Sequence, residues 1–204
     1  MSNKSFNLNI KDIIPPFSKT IKVDSDKSIS IRSLLIGAIS QNLSSVKNIL
    51  ESEDVISTIN CLKKLGVKII KKKGMLNIYG KGLGSLTAKK NLKLDFGNSG
   101  TLARLIMGLL STTPRIKLNL TGDHSLRKRN MKKIIMLMSE FGASFEPKKK
   151  FNFPIKITSS EMPIGINYKA GVSAQLKSAV ILAGLNSYGT TKILEQEQSR
   201  DHTE

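Results

Sequence analysis

The sequence predicts an α/β (α+β) fold in which βαβαββ units repeat around buried parallel helices. Three observations carry this expectation. A pattern recurs three times: a small polar residue, a cation four or five positions later, then an apolar run. The copies begin at Ser28, Ser99 and Ser173, and their cations Arg32, Arg104 and Lys177 lie 72 and 73 positions apart. The apolar residues after each cation point all round a helix axis, which marks a helix buried on every side. Short alternating or β-rich runs separate the helices.

In the first unit, Thr20 to Val23 reads as a strand and Leu34, Leu35, Ile36, Ala38 and Ile39 as the buried helix. Ser52-Glu53-Asp54 opens a surface helix with the stripe Val55, Ile56, Ile59, Leu62 and Leu65, leaving Thr58 and Lys63 off it. That helix ends at Gly66, suited to the left-handed position after a helix. Val67 to Ile70 and Leu76 to Tyr79 read as the closing strands. The second unit runs from a strand at Leu92 to Phe96 into a buried helix carrying Leu102, Ala103, Leu105, Ile106, Met107, Leu109 and Leu110. A strand at Ile116 to Leu120 precedes Ser125-Leu126-Arg127. A surface helix follows with the stripe Met131, Ile134, Ile135, Met138 and Phe141, ending at Gly142, and then a strand at Phe153 to Ile157. The third unit has a buried helix over Leu176, Ala179, Val180, Ile181, Leu182 and Leu185 and a strand at Thr191 to Leu194. Its Ser199-Arg200-Asp201 keeps the period of Ser52 and Ser125, 73 and 74 positions apart, and the unit is incomplete at Glu204. An N-terminal part of a longer protein is the expectation.

Composition narrows the function classes. Hydrophobic residues make up 39% and charged residues 24%, which suits a folded protein. A single cysteine, Cys61, excludes a disulfide framework and a cysteine metal cluster, and reads as a structural thiol. No run is long enough to cross a membrane, and residues 1–12 lack a signal-peptide core, so a cytoplasmic protein is expected. The net charge of +18 comes from scattered lysines rather than a basic run interleaved with aromatics. Solvated faces, not nucleic-acid binding, are therefore expected. His124 and His202 are too isolated for a metal site.

The buried helices share chemistry at their starts. Asp26-Lys27-Ser28, Gly97-Asn98-Ser99-Gly100-Thr101 and Gly171-Val172-Ser173-Ala174 place small residues at three helix N-termini. Helix N-termini offer unpaired N–H groups and about half a positive charge each. Capping by Ser28, Ser99 and Ser173 would explain each one singly. Three at one period favour a shared anion site, with Lys27, Arg32 and Arg129 adding full charges. The glycine spacing fits neither a dinucleotide-binding fingerprint nor a P-loop. Asp123 could cap the helix that follows it.

These segments resemble a known family. Asp26-Lys27-Ser28-Ile29-Ser30-Ile31-Arg32 resembles the D-K-S-I-S-H-R signature of 5-enolpyruvylshikimate-3-phosphate synthases. Leu94 to Thr101 with Arg104, Thr121 to Arg129, Ser173 to Ala179 and Ser199 to Glu204 are similar to four further signatures in the same order. The resemblance implies the enolpyruvyl transferase inside-out barrel, with the helix N-termini facing a cleft between two domains. It implies that residues 1–19 supply a strand to the other domain, and that residues 20–204 form the N-terminal domain. It also implies the site. Lys27 would contact both substrates and act in catalysis, while Ser28 and Arg32 would hold the shikimate carboxylate. Ser173, Ala174, Gln175 and Arg200 would bind shikimate 3-phosphate. Gly100, Arg129 and Gln175 would bind phosphoenolpyruvate.

The implied reaction transfers the enolpyruvyl group of phosphoenolpyruvate to the 5-hydroxyl of shikimate 3-phosphate and releases phosphate, as a step of aromatic amino acid biosynthesis. It needs no cofactor and no metal, and the complete protein is expected to be a monomer. The chain alone is expected to be inactive, because the groups of the other domain are absent from it. A related transferase acting on UDP-N-acetylglucosamine is the nearest rival, but it has Lys-Asn in place of Lys27-Ser28. A basic nucleic-acid-binding module is the rival of another class. Three departures touch loop geometry: Asp24-Ser25 stands where many members have Pro-Gly, Ile31 where His is common, and Asn130 where Pro is common.

Overall fold

The computed structural model describes residues 23–72 and 74–196, together with residues 9, 16, 18, 20 and 21. The elements run α1 (Lys27–Ile39), β1 (Leu43–Lys47), α2 (Glu53–Lys64), β2 (Lys68–Lys72), β3 (Met75–Tyr79), β4 (Lys93–Asp95), α3 (Gly100–Thr112) and β5 (Lys117–Thr121). They continue with α4 (His124–Lys128), α5 (Lys132–Glu140), β6 (Ser144–Glu146), β7 (Ile155–Thr158), β8 (Asn167–Ala170), α6 (Ala174–Gly184) and β9 (Lys192–Glu195).

The three sheets are variants of one design. The second, β4-β5-β7-β6, pairs β4 with β5 in parallel and the others antiparallel. The first, β1-β3-β2, reproduces its β5-β7-β6 part, and the parallel pair β8-β9 reproduces its β4-β5 part. Of the strand expected at Thr20 to Val23, the described Thr20, Ile21 and Val23 belong to no strand, and Lys22 lies outside the described residues. Ile21 and Val23 are exposed, so neither has a core to pack on. β1, β6 and β8 escape the sequence pattern because they are short and mostly polar.

One hydrophobic core joins the units. At its centre lies α3, buried along its whole length except at Arg104, which is intermediate. α6 runs parallel beside it. Gln175 meets Thr101, Ala179 lies against Gly108, and Asn186, just past α6, meets Thr112, so the two segments advance together. The approach depends on Gly108, where a Cβ would lie 2.3 Å from the Ala179 carbonyl oxygen.

Two sequence expectations need correction. α1 and α6 are not buried all round: Ile29 and Ile36 on α1, and Ile181 and Leu185 on α6, are exposed, because only α3 is enclosed by helices and sheets on every side. On α2 the buried stripe is Val55, Thr58, Cys61, Leu62 and Leu65, while Ile56 is 50% exposed. Thr58 enters the core because its hydroxyl donates to the Asp54 carbonyl at 2.8 Å, which satisfies its polar group within the helix. The α5 stripe is buried as expected, and Gly66 and Gly142 hold φ of +88° and +94° after α2 and α5. Among the described residues no helix is long and apolar enough to cross a membrane.

Candidate active site

Each of the three central helices starts on a side-chain cap. Asp26 accepts from Ile29 N at 2.7 Å, Ser99 from Leu102 N at 3.2 Å and Ser173 from Leu176 N at 3.4 Å. The capping residue of α1 is therefore Asp26, and Ser28 lies inside the first turn. The three caps stand 73 and 74 positions apart. Asp123 caps α4, accepting from Leu126 N at 2.7 Å.

The starts of α3 and α6 are tied together. Gln175 donates Nε2 to Thr101 Oγ1 at 3.1 Å and accepts from Arg104 Nη1 at 3.1 Å. Arg104 also donates to the Gly100 carbonyl at 3.0 Å. Arg32 repeats this arrangement one unit earlier. It is buried, donates Nη1 to the Ser28 carbonyl at 3.2 Å, and donates Nη2 to Ser178 Oγ at 2.8 Å. Two repeat-related arginines thus bond the carbonyl four residues back and reach α6. The third cation, Lys177, is buried and pairs with Glu195 at 2.9 Å.

Gly100 lies between two guanidinium groups. A Cβ built there would be 2.9 Å from Nη1 of both Arg104 and Arg129. Arg129 follows α4 and donates Nη2 to Asn98 Oδ1 at 2.5 Å. Burial, and then the charge of Arg129, push the Arg104 guanidinium below its ordinary pKa. Among the described residues neither arginine pairs with a carboxylate. Like charges held this close are relieved by an anion between them. Lys27 is engaged differently: its Nζ pairs with Asp54 of α2 at 3.1 Å, and its side chain is half exposed.

A cleft of about 540 Å³ opens beside this cluster, between the starts of α5 and α6. Arg104, Asn130, Lys132, Lys133, Ser173 and Gln175 are among its walls. The structure thus gathers Gly100, Arg129, Gln175 and Ser173 around one cationic region, with Ala174 beside Ser173 in the first turn of α6. Lys27, Ser28 and Arg32 sit together at the start of α1. Arg200 and the expected strand within residues 1–19 lie outside the described residues, apart from isolated positions. Sequence reasoning left Arg104, Asn98 and Asp54 out of the site. Arg104 had a signal, its place as the repeat's cation, whereas Asn98 and Asp54 became visible only through their partners. Among the described residues no group of His, Cys, Asp or Glu side chains could hold a metal ion.

Repeated α/β units with cations gathered at the N-termini of their central helices define the class of fold and the kind of site, one whose N–H groups and charges face the same way as in anion-binding helix starts. The description "EPSP synthase (3-phosphoshikimate 1-carboxyvinyltransferase)" belongs to the family model that matches residues 11–204. The chain belongs to the EPSP synthase family. It is 42% identical over 191 residues to a 3-phosphoshikimate 1-carboxyvinyltransferase of Paramagnetospirillum magneticum, covering 93% of this chain and 42% of that relative. The corresponding protein of Bacillus subtilis is 40% identical over 196 residues, covering 95% of this chain and 45% of the relative. The solved EPSP synthase from Acinetobacter baumannii aligns with a TM-score of 0.82 at 39% identity, covering 90% of this chain and 42% of that one. The chain therefore spans less than half the length of these relatives.

Proposed function

We propose that this chain provides one wall of a site that transfers the enolpyruvyl group of phosphoenolpyruvate to the 5-hydroxyl of shikimate 3-phosphate. The shikimate 5-hydroxyl oxygen bonds to C2 of phosphoenolpyruvate and gives up its proton as C3 takes one, and the tetrahedral adduct then loses phosphate from C2 and a proton from C3 to restore the double bond. Both substrates carry a phosphate and a carboxylate, so the chemistry calls for fixed positive charge rather than a redox group. The reading is supported above all by the Arg104–Arg129 pair flanking Gly100, two cations without a carboxylate partner among the described residues. Arg129 and Gly100 would receive phosphoenolpyruvate, and Gln175 would reach both substrates. Ser173 and Ala174 would take the 3-phosphate at the start of α6, and Ser28 and Arg32 the shikimate carboxylate. Lys27 would exchange Asp54 for substrate and act in catalysis. Arg200 would close over the shikimate side. The same reading makes the substrates small molecules, requires no cofactor, and places the reaction in the cytoplasm.

Equilibrium dialysis of phosphoenolpyruvate against the chain, with shikimate 3-phosphate present, tests this. Arg129→Ala removes a charge-assisted contact of about 1.5–3 kcal/mol, so affinity should fall roughly 10- to 100-fold. Gly100→Ala should also weaken binding, because its methyl group displaces both arginine tips. Equal affinity in wild type and a folded Arg129→Ala variant would remove Arg129 from the site.

A further inference from the structure

Arg129 lies in an exposed turn between α4 and α5, yet its direction is set at two points. Its side chain is held by Asn98. Its backbone is held by Asn152, from the loop that joins β6 to β7: the Asn152 side-chain Nδ2 donates to the Lys128 carbonyl at 3.2 Å and to the Arg129 carbonyl at 3.1 Å. The same loop touches the turn again, where Met131 N donates to the Phe151 carbonyl at 2.7 Å and Lys132 Nζ stands 5.5 Å from the Phe151 ring centre. Phe153, the residue after Asn152, packs edge-on against Phe96 with centroids 5.6 Å apart, and both rings are buried. Phe96 stands two residues before Asn98, and Phe153 one residue after Asn152. The backbone clamp and the side-chain clamp of Arg129 are thus mounted on one buried aromatic pair. Asn130 adds a local turn, accepting from Lys132 N at 2.7 Å.

We infer that Asn152 is a positioning residue for Arg129, fixing the guanidinium beside Gly100 before an anion arrives. This rests on the anion-site reading above and extends it to a loop whose residues are not among the cleft's walls. A free arginine side chain must give up rotamer freedom on binding, and a held one has already done so.

Three variants of the 204-residue chain test the proposal. Asn152→Ala removes the amide, Asn152→Leu keeps the branched heavy-atom skeleton without donors, and Asn152→Gln keeps the donors on a longer stem. The readouts are the phosphoenolpyruvate dissociation constant, the melting temperature and the Arg129 Nε–Hε resonance, assigned with Arg129→Lys. The constant should rise roughly 3- to 10-fold in the Ala and Leu variants and recover in part in the Gln variant. The Arg129 resonance should move toward that of a freely rotating arginine. A lowered melting temperature with an unchanged constant and an unchanged resonance would reduce Asn152 to a helix cap and overturn the proposal. If Arg129→Ala binds phosphoenolpyruvate as the wild type does, the ligand assignment fails, while a shifted resonance in Asn152→Ala still establishes the positioning.

Discussion

Burial drives Cys61 and Arg104 in opposite directions, because it disfavours the charged form of each. The Cys61 thiol, 1% exposed and donating to the Asp95 carbonyl at 3.3 Å, is pushed up to about 12 by burial, with Lys64 lowering it and Asp95 raising it by less. A thiol-specific colorimetric reagent at pH 8 should therefore find no fast-reacting sulfhydryl until the chain is denatured, when it should find one. The same shift sets a pH dependence. The unfolded thiol, with a pKa of 9.0, releases its proton before the folded one, so the stability contribution is complete below pH 9 and is lost as pH rises toward about 12. Cys61→Ala should flatten the alkaline fall in urea-unfolding free energy, and an identical fall in the variant would sink this account. Cys61 was legible in the sequence as a structural thiol. Thr58 was not, because its burial depends on a hydroxyl bonded within its own helix, which apolar periodicity does not register.

Where elements meet, backbone proximity outweighs intrinsic propensity. Alanine ordinarily stabilises a helix interior over glycine by about 0.5–1 kcal/mol. At Gly108 the sign reverses, because a Cβ would meet the Ala179 carbonyl of α6, and the contact is backbone that cannot rotate away. Gly108→Ala should destabilise the fold by about 1–3 kcal/mol in urea unfolding. A more stable variant would show that α3 and α6 can separate freely. Had they room to separate, the tie from Gln175 to Thr101 and Arg104 would not be held by packing further along the helices. The α2 stripe shows the limit of periodicity in another way: Ile56 belongs to the expected set, yet the helix turns it outward so that Thr58 and Cys61 face the core.

At the scale of the molecule, repetition governs both the core and the exposed surface. Ile29 and Ile36 on α1, together with Ile181 and Leu185 on α6, leave apolar side chains uncovered on helices whose opposite sides are core. Uncovered apolar faces favour self-association. Sedimentation of the chain over rising concentration should show growing average mass, reduced in Ile36→Glu/Leu185→Glu, and a monodisperse monomer throughout would refute it. The unit order, the central helices and the helix-ending glycines were legible from residue spacing alone. Period and chemistry are properties of the linear chain, and a repeat declares them three times. The partners of those residues were decided only by the tertiary structure: Arg104 beside Arg129 across Gly100, Lys27 on Asp54, and Asn98 and Asn152 on the Arg129 turn. The reason is physical. Hydrogen bonds and charge contacts act over a few ångströms, and residues separated by tens of positions reach that distance only after the helices and sheets have packed.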